Sequence, residues 1–88
     1  MNTATDTDAT VYARDLPYLE GGKWQPDRSD SYSTDCRAGR EAGARIREAI
    51  QRSGNPALLG AVVSAIVAAG EWGAIEVGLF SELGAALS

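Results

Sequence analysis

The side chains of this chain that could perform acid–base or metal chemistry are almost all carboxylates. The 88 residues include twelve Asp and Glu, one cysteine and no histidine. Without histidine, the chain lacks the usual general base near neutral pH and the commonest metal ligand. Three candidate carboxylate pairs fall in a polar tail, in a polar joint and five residues apart on a predicted helix: Asp6/Asp8, Asp27/Asp30 and Glu71/Glu76. None of these placements makes a catalytic pair.

Other chemical patterns are equally sparse. Glycine-rich phosphate loops and calcium-binding loops need spacings that this sequence does not contain. The lone Cys36 excludes an internal disulfide and a multi-thiolate zinc site, and we expect it to be a small buried apolar residue. The sequence therefore predicts a protein that is not an enzyme and that holds no cofactor and no metal.

Five arginines between residues 34 and 53 are the part of the chain best suited to contact nucleic acid. Projection at 100° per residue predicts a solvated stripe of intrahelical ion pairs that alternates in sign: Arg37, Glu41, Arg45, Glu48 and Arg52. Arg40 and Arg47 lie beside the apolar side of the helix, outside that stripe. We expect these two to pair with carboxylates of the third helix or the N-terminal arm, or to contact a partner.

The net charge of −4 argues against indiscriminate binding to nucleic acid or anionic lipid. Residues 1–10 are polar and acidic, which predicts a flexible tail and gives no sign of a secretory signal. The longest apolar stretch, residues 56–70, is too short to span a bilayer. A cytoplasmic location, without membrane contact, is the expectation.

These side chains must be positioned by a single domain over residues 11–88, because the chain is too short for two. It begins with an aromatic arm, residues 11–33. Gly21-Gly22 predicts a two-residue hairpin turn that places Glu20 opposite Lys23 and Leu19 opposite Trp24. An irregular arm is the alternative.

Three helices are predicted after the arm, at about 34–52, 56–69 and 72–87. Gly54 followed by Asn55-Pro56 predicts the first boundary, and Gly70 the second. The second helix is apolar nearly all round, so we place it at the centre of a mainly α, three-helix domain. Gly39 and Gly43 on the first helix are expected to pack against it. The third helix is expected to bury one face, formed by Trp72, Ile75, Leu79, Leu83 and Ala86.

A second face of the third helix carries small residues at helical spacing. Ala74, Gly78, Ser81 and Ala85 recur at intervals of four, three and four, with Val77 beside them. Glycine inside a helix costs about 1 kcal/mol relative to alanine, which predicts a close neighbour at Gly78. The sequence leaves open whether this neighbour is the arm, a second copy of the chain or another protein, or only water.

In size and charge the chain resembles small acidic phage-encoded inhibitors of the anti-CRISPR kind. That resemblance implies stoichiometric binding to a nuclease or other nucleic-acid-binding complex, with carboxylates imitating phosphates. The imitating residues would be Asp15, Glu20, Asp27, Asp30, Glu71, Glu76 and Glu82.

The sequence therefore favours a protein–protein interaction module that inhibits or regulates a partner. The alternative is a small dimeric nucleic-acid-binding regulator that uses the first helix. The residues expected to bind a partner come from the arm, the first helix and the third helix: Tyr18, Glu20, Trp24, Asp27, Asp30, Arg40, Arg47, Ala74, Val77, Gly78 and Ser81.

Overall fold

The computed structural model describes residues 16–86, which form a β-hairpin followed by three helices. Strands β1 (Leu19–Glu20) and β2 (Lys23–Trp24) are antiparallel, and the helices are α1 (Tyr32–Ser53), α2 (Ala57–Ala69) and α3 (Ala74–Ala86). The prediction of a mainly α, three-helix domain preceded by a hairpin is confirmed. The predicted tail at 1–10, arm residues 11–15 and the predicted helix end at residue 87 lie outside the described residues.

The hairpin has the register that the sequence predicts. Leu19 pairs with Trp24 and Glu20 with Lys23. Gly21 and Gly22 have φ values of 58° and 78°, as a type I′ turn requires. The N–H of Gln25 donates to the carbonyl of Tyr18 at 2.7 Å, which extends the pairing by one step.

Each helix begins and ends on local signals. Ser31 caps α1, because its Oγ accepts a hydrogen bond from the Thr34 N–H at 3.2 Å. The left-handed Gly54 ends α1, and the left-handed Gly70 ends α2. Asn55 Oδ1 accepts from the Ala57 N–H at 3.0 Å at the start of α2. The predicted boundaries therefore hold to within two residues.

The closest helix pair is α1 with α3, which corrects the prediction that Gly39 and Gly43 pack against α2. A Cβ on Gly39 would overlap with the Ile75 carbonyl, and one on Gly43 would meet the Leu79 carbonyl. Glycine spacing shows that a helix approaches closely but does not identify that helix. Here the approach is reciprocal, because α3 contributes its own Gly78 at the same interface.

The predicted central position of α2 is wrong. One side of α2 is buried, through Leu58, Val62, Ala65 and Ile66, but the other side faces solvent. Because α1 and α3 occupy each other's glycine-lined faces, no other helix of residues 16–86 covers the outer side of α2. The core lies where α1, α3, the hairpin and the inner side of α2 meet: Leu16, Trp24, Ala42, Ile46, Ala49, Leu58, Val62, Ala65, Ile66, Ile75 and Leu79.

Trp72 also departs from its predicted place in the buried face of the third helix. That helix begins at Ala74, so Trp72 precedes it and is 63% exposed. Ile75 and Leu79 are fully buried as expected, and Leu83 is half-buried. The side chain of Ala86 lies outside the described part.

Candidate interaction surface

A buried carboxylate, Glu76, joins the arm to α3. Its side chain is 0% exposed and accepts a hydrogen bond from Trp24 Nε1 at 2.7 Å. Arg28 donates to both oxygens, from Nη1 at 2.9 Å and from Nη2 at 2.7 Å. The Gly73 N–H donates to Oε1 at 2.8 Å, so the same carboxylate caps the amino end of α3.

The donors around Glu76 decide its charge state. Burial alone would raise the pKa of Glu76, but the hydrogen bonds from Arg28, Trp24 and Gly73 outweigh it and lower the pKa to about 2. The group is therefore an ionised structural link. Because Glu76 is fully buried, it cannot imitate a phosphate on the surface. The expectation that it belongs to the phosphate-imitating residues is therefore wrong.

Several of the expected partner-binding residues are buried instead. Trp24 packs in the core, and Tyr18 lies edge-on against it with ring centroids 5.7 Å apart. Ala74 and Gly78 are buried, and a Cβ on Gly78 would overlap with the Cys36 carbonyl of α1. The neighbour that the sequence requires at Gly78 is therefore α1, and neither the arm nor a second copy occupies that position.

Other predicted residues remain near the surface but do not converge on one site. Arg47 pairs with Glu82 of α3 at 3.0 Å, which confirms the expected pairing with the third helix. Val77 is half-buried, and the Ser81 hydroxyl donates to its carbonyl at 2.8 Å. The remaining predicted residues are exposed: Glu20, Asp27, Asp30 and Arg40. Asp15 lies outside the described residues.

Tyr18 and Asp27 are linked through the surroundings of the phenol. Burial raises the pKa of Tyr18, and the negative charge of Asp27 raises it further. Tyr18 also has φ of 63°, a left-handed conformation that is uncommon for a residue other than glycine. This backbone conformation directly precedes β1 and turns the chain into the hairpin.

The exposed apolar side chains lie mainly along the outer side of α2. Leu59 and Val63 are each 37% exposed and Val67 is 73% exposed. They are spaced four residues apart and therefore line one side of the helix. Together with the exposed Trp72 they form what we call the α2 face. No residue of α2 carries a charge.

A groove opens at the carboxyl end of the α2 face. It has a volume of about 250 Å³ and is lined by Val63, Ile66, Val67, Gly70, Glu71, Trp72 and Phe80. Trp72 stacks on Phe80 with ring centroids 5.5 Å apart and planes inclined by 19°. The stacking holds the exposed indole beside α2, where it forms one wall of the groove. A second groove, of about 380 Å³, separates α2 from β2 and is lined in part by Lys23 and Glu71.

Sequence reasoning missed the α2 face and the Arg28–Glu76 link. The exposed side of α2 follows from the pairing of α1 with α3 through Gly39, Gly43 and Gly78, which only the assembled fold shows. The burial of Glu76 had no local signal either. It depends on Trp24 and Arg28, which lie 52 and 48 positions earlier in the chain.

Three further findings bear on the site. No protein-family model, curated protein or solved structure matches this chain. None of the helices described between residues 16 and 86 is both long and apolar enough to cross a membrane. Over the same residues, no three Cys, Asp or Glu side chains come together in a way that could hold a metal ion.

Proposed function

We propose that this chain is a non-enzymatic protein–protein interaction module that binds through the α2 face. The supporting observation is the exposure of Leu59, Val63 and Val67 along the uncharged helix α2, with the exposed Trp72 beside them. Large apolar side chains grouped on the surface of a small protein are typical of a binding site for another protein. The groove beside Trp72 adds a concave pocket suited to one apolar anchor residue.

A role as an inhibitor or regulator is consistent with this surface. The resemblance to phage-encoded inhibitors of the anti-CRISPR kind implies stoichiometric occupation of a partner's surface. Among the described carboxylates, Glu76 has the most altered pKa. It accepts hydrogen bonds from three residues of the fold, Trp24, Arg28 and Gly73. The Glu76 carboxylate therefore stabilises the fold and is not available as a general acid or base, which supports a binding role for this chain.

The experiment is a comparison of three forms of the full chain in capture from the source cell. Val67→Glu introduces a charge into the α2 face. Gln51→Glu makes the same change in charge on the exposed side of α1 and serves as the control. We expect a protein held at a fixed molar ratio by the wild type and by Gln51→Glu, and lost with Val67→Glu.

Capture that is identical for all three forms would contradict the proposal.

The nucleic-acid alternative is tested by a separate measurement, the binding of the chain to unrelated duplexes. Arg37, Arg40, Arg45 and Arg52 are exposed, and no ion pair joins them to a carboxylate of residues 16–86. Binding to unrelated duplexes that weakens steeply with salt and is lost with Arg45→Glu, but kept with Val67→Glu, would favour that alternative.

A further inference from the structure

Gly60, the fourth residue of α2, has no close neighbour among the described residues. Three of the five glycines inside the described helices lie against backbone atoms of a neighbouring helix, namely Gly39, Gly43 and Gly78, whereas a Cβ on Gly84, near the end of α3, would meet nothing within 4 Å. A Cβ on Gly60 would meet nothing within 4 Å. Glycine lowers helix stability relative to alanine, so its presence there calls for a close neighbour that the described residues do not supply.

Gly60 lies within the α2 face, next to its apolar row. Leu59 and Val63 flank it, and Val67 is seven residues further along the same side of the helix. A glycine bordered by exposed apolar side chains is a surface on which a second helix can pack closely, with a side chain of that helix occupying the space left by the missing Cβ.

We propose that α2 packs antiparallel against α2 of a second copy of this chain, about a two-fold axis between Val63 and Ser64. This inference rests on the proposed function, because it names the partner of the same α2 face. A two-fold axis at that point places Val67 of each copy over Gly60 of the other. The most exposed apolar side chain of the face then fills the open position at Gly60.

The same arrangement matches the groove to a side chain. Leu59 of each copy reaches the level of the groove beside Val67 and Trp72 of the other copy. That groove is apolar apart from Glu71 at its edge and has a volume of about 250 Å³, which is ample for a leucine side chain. The Leu59 side chain, which is 37% exposed in one copy, would then be buried by the second copy.

Charge at the two ends of α2 also favours the antiparallel arrangement. No residue within α2 is charged, so packing the two faces together does not bury an ion. Glu71 follows the carboxyl end of α2; its side chain lies 3.9 Å from Arg28 Nη2 but is 67% exposed, and the exposed Arg52 precedes the amino end of α2. Antiparallel packing brings Glu71 of one copy towards the amino end of α2 in the other, where the helix dipole and Arg52 are both positive.

The first test measures the mass of the full chain by light scattering over a range of concentrations. We expect twice the 9.2 kDa of one chain, falling towards one chain on dilution. Val67→Glu and Gly60→Leu should each weaken the dimer at least tenfold, while circular dichroism shows that the helices remain. Gln51→Glu should dimerise as the wild type does.

The second test addresses the position of the axis. In a Cys36→Ala background, Ser64→Cys places one thiol beside the proposed two-fold axis, and mild oxidation should give a covalent dimer. Ser33→Cys, at the amino end of α1, is the control and should remain uncrosslinked. Equal crosslinking at both positions would overturn the antiparallel arrangement.

The outcomes separate this inference from the proposed function. A chain that stays at one copy at every concentration overturns the dimer. If Val67→Glu then still abolishes capture of a different protein, the proposed function stands. If Val67→Glu changes neither mass nor capture, both fail.

Discussion

Trp24 Nε1 donates a hydrogen bond of 2.7 Å to Glu76 Oε2 across 52 positions of sequence. Trp24 belongs to β2, and Glu76 lies in the first turn of α3. The bond therefore fixes the hairpin to the far end of the chain, and Arg28 adds two more bonds from the segment between them. A two-stranded hairpin is marginally stable alone, so its place in the fold depends on this link together with the burial of Trp24 in the core.

Glu76→Gln should lower the free energy of unfolding by about 3 kcal/mol, because it removes the buried charge that holds Arg28. The control is Glu82→Gln on the same helix. Glu82 pairs with Arg47 at 3.0 Å, but both side chains are partly exposed, so the expected loss is below about 1 kcal/mol. Urea unfolding at pH 7 measures both changes, and equal losses would contradict the special role of Glu76.

The Glu76 link also predicts how stability depends on pH. The pKa of Glu76 is about 2 in the folded chain and 4.5 for the unperturbed group, so the unfolded state binds more protons between these values. The stabilisation, about 3 kcal/mol, is complete above roughly pH 5 and is lost as the pH falls towards 2. Urea unfolding of the wild type and Glu76→Gln between pH 7 and pH 2 should show the two free energies converging in acid. Parallel curves would contradict the assignment.

The sequence predicted the features that depend on neighbouring residues. The Gly21-Gly22 turn, the Leu19–Trp24 pair and the left-handed glycine at residue 54 each rest on interactions within a few positions. It could not predict which helices pair. Gly39 accommodates any close backbone, and only the assembled fold shows that this backbone belongs to Ile75.

The candidate surface was beyond the sequence for the same reason. An apolar helix such as α2 is buried on all sides only if the chain has enough other elements to surround it. Here the pairing of α1 with α3 uses the Gly39/Gly43 face of α1 that was expected to pack against α2. A central position of α2 would bury Val67, but Val67 is 73% exposed. The exposure of Trp72 was not predicted, because the hydrogen bond from the Gly73 N–H to Glu76 makes α3 begin two residues later than the sequence predicts.

Gly21→Asn should stabilise the chain by a few tenths of a kcal/mol. Gly21 has φ of 58° in the type I′ turn, a conformation that asparagine also adopts readily, and replacing glycine reduces the freedom of the unfolded chain. Gly21→Val is the control and should cost more than about 1 kcal/mol, since a β-branched residue is strained at that φ. Thermal melts measure both. A stabilising valine would show that the turn changes type.

Gly78→Ala should destabilise the chain by about 2 kcal/mol, because the added Cβ would overlap with the Cys36 carbonyl and force α1 away from α3. Gly60→Ala is the matched control: it is the same substitution in a helix of the same length, where a Cβ meets nothing within 4 Å. At low concentration, where any self-association is absent, the control should gain about 1 kcal/mol from alanine's higher helix propensity. Urea unfolding gives both free energies. A Gly78→Ala variant as stable as Gly60→Ala would mean that α1 and α3 do not pack backbone against backbone, since no small relaxation could admit a methyl group between a glycine and a carbonyl already in contact.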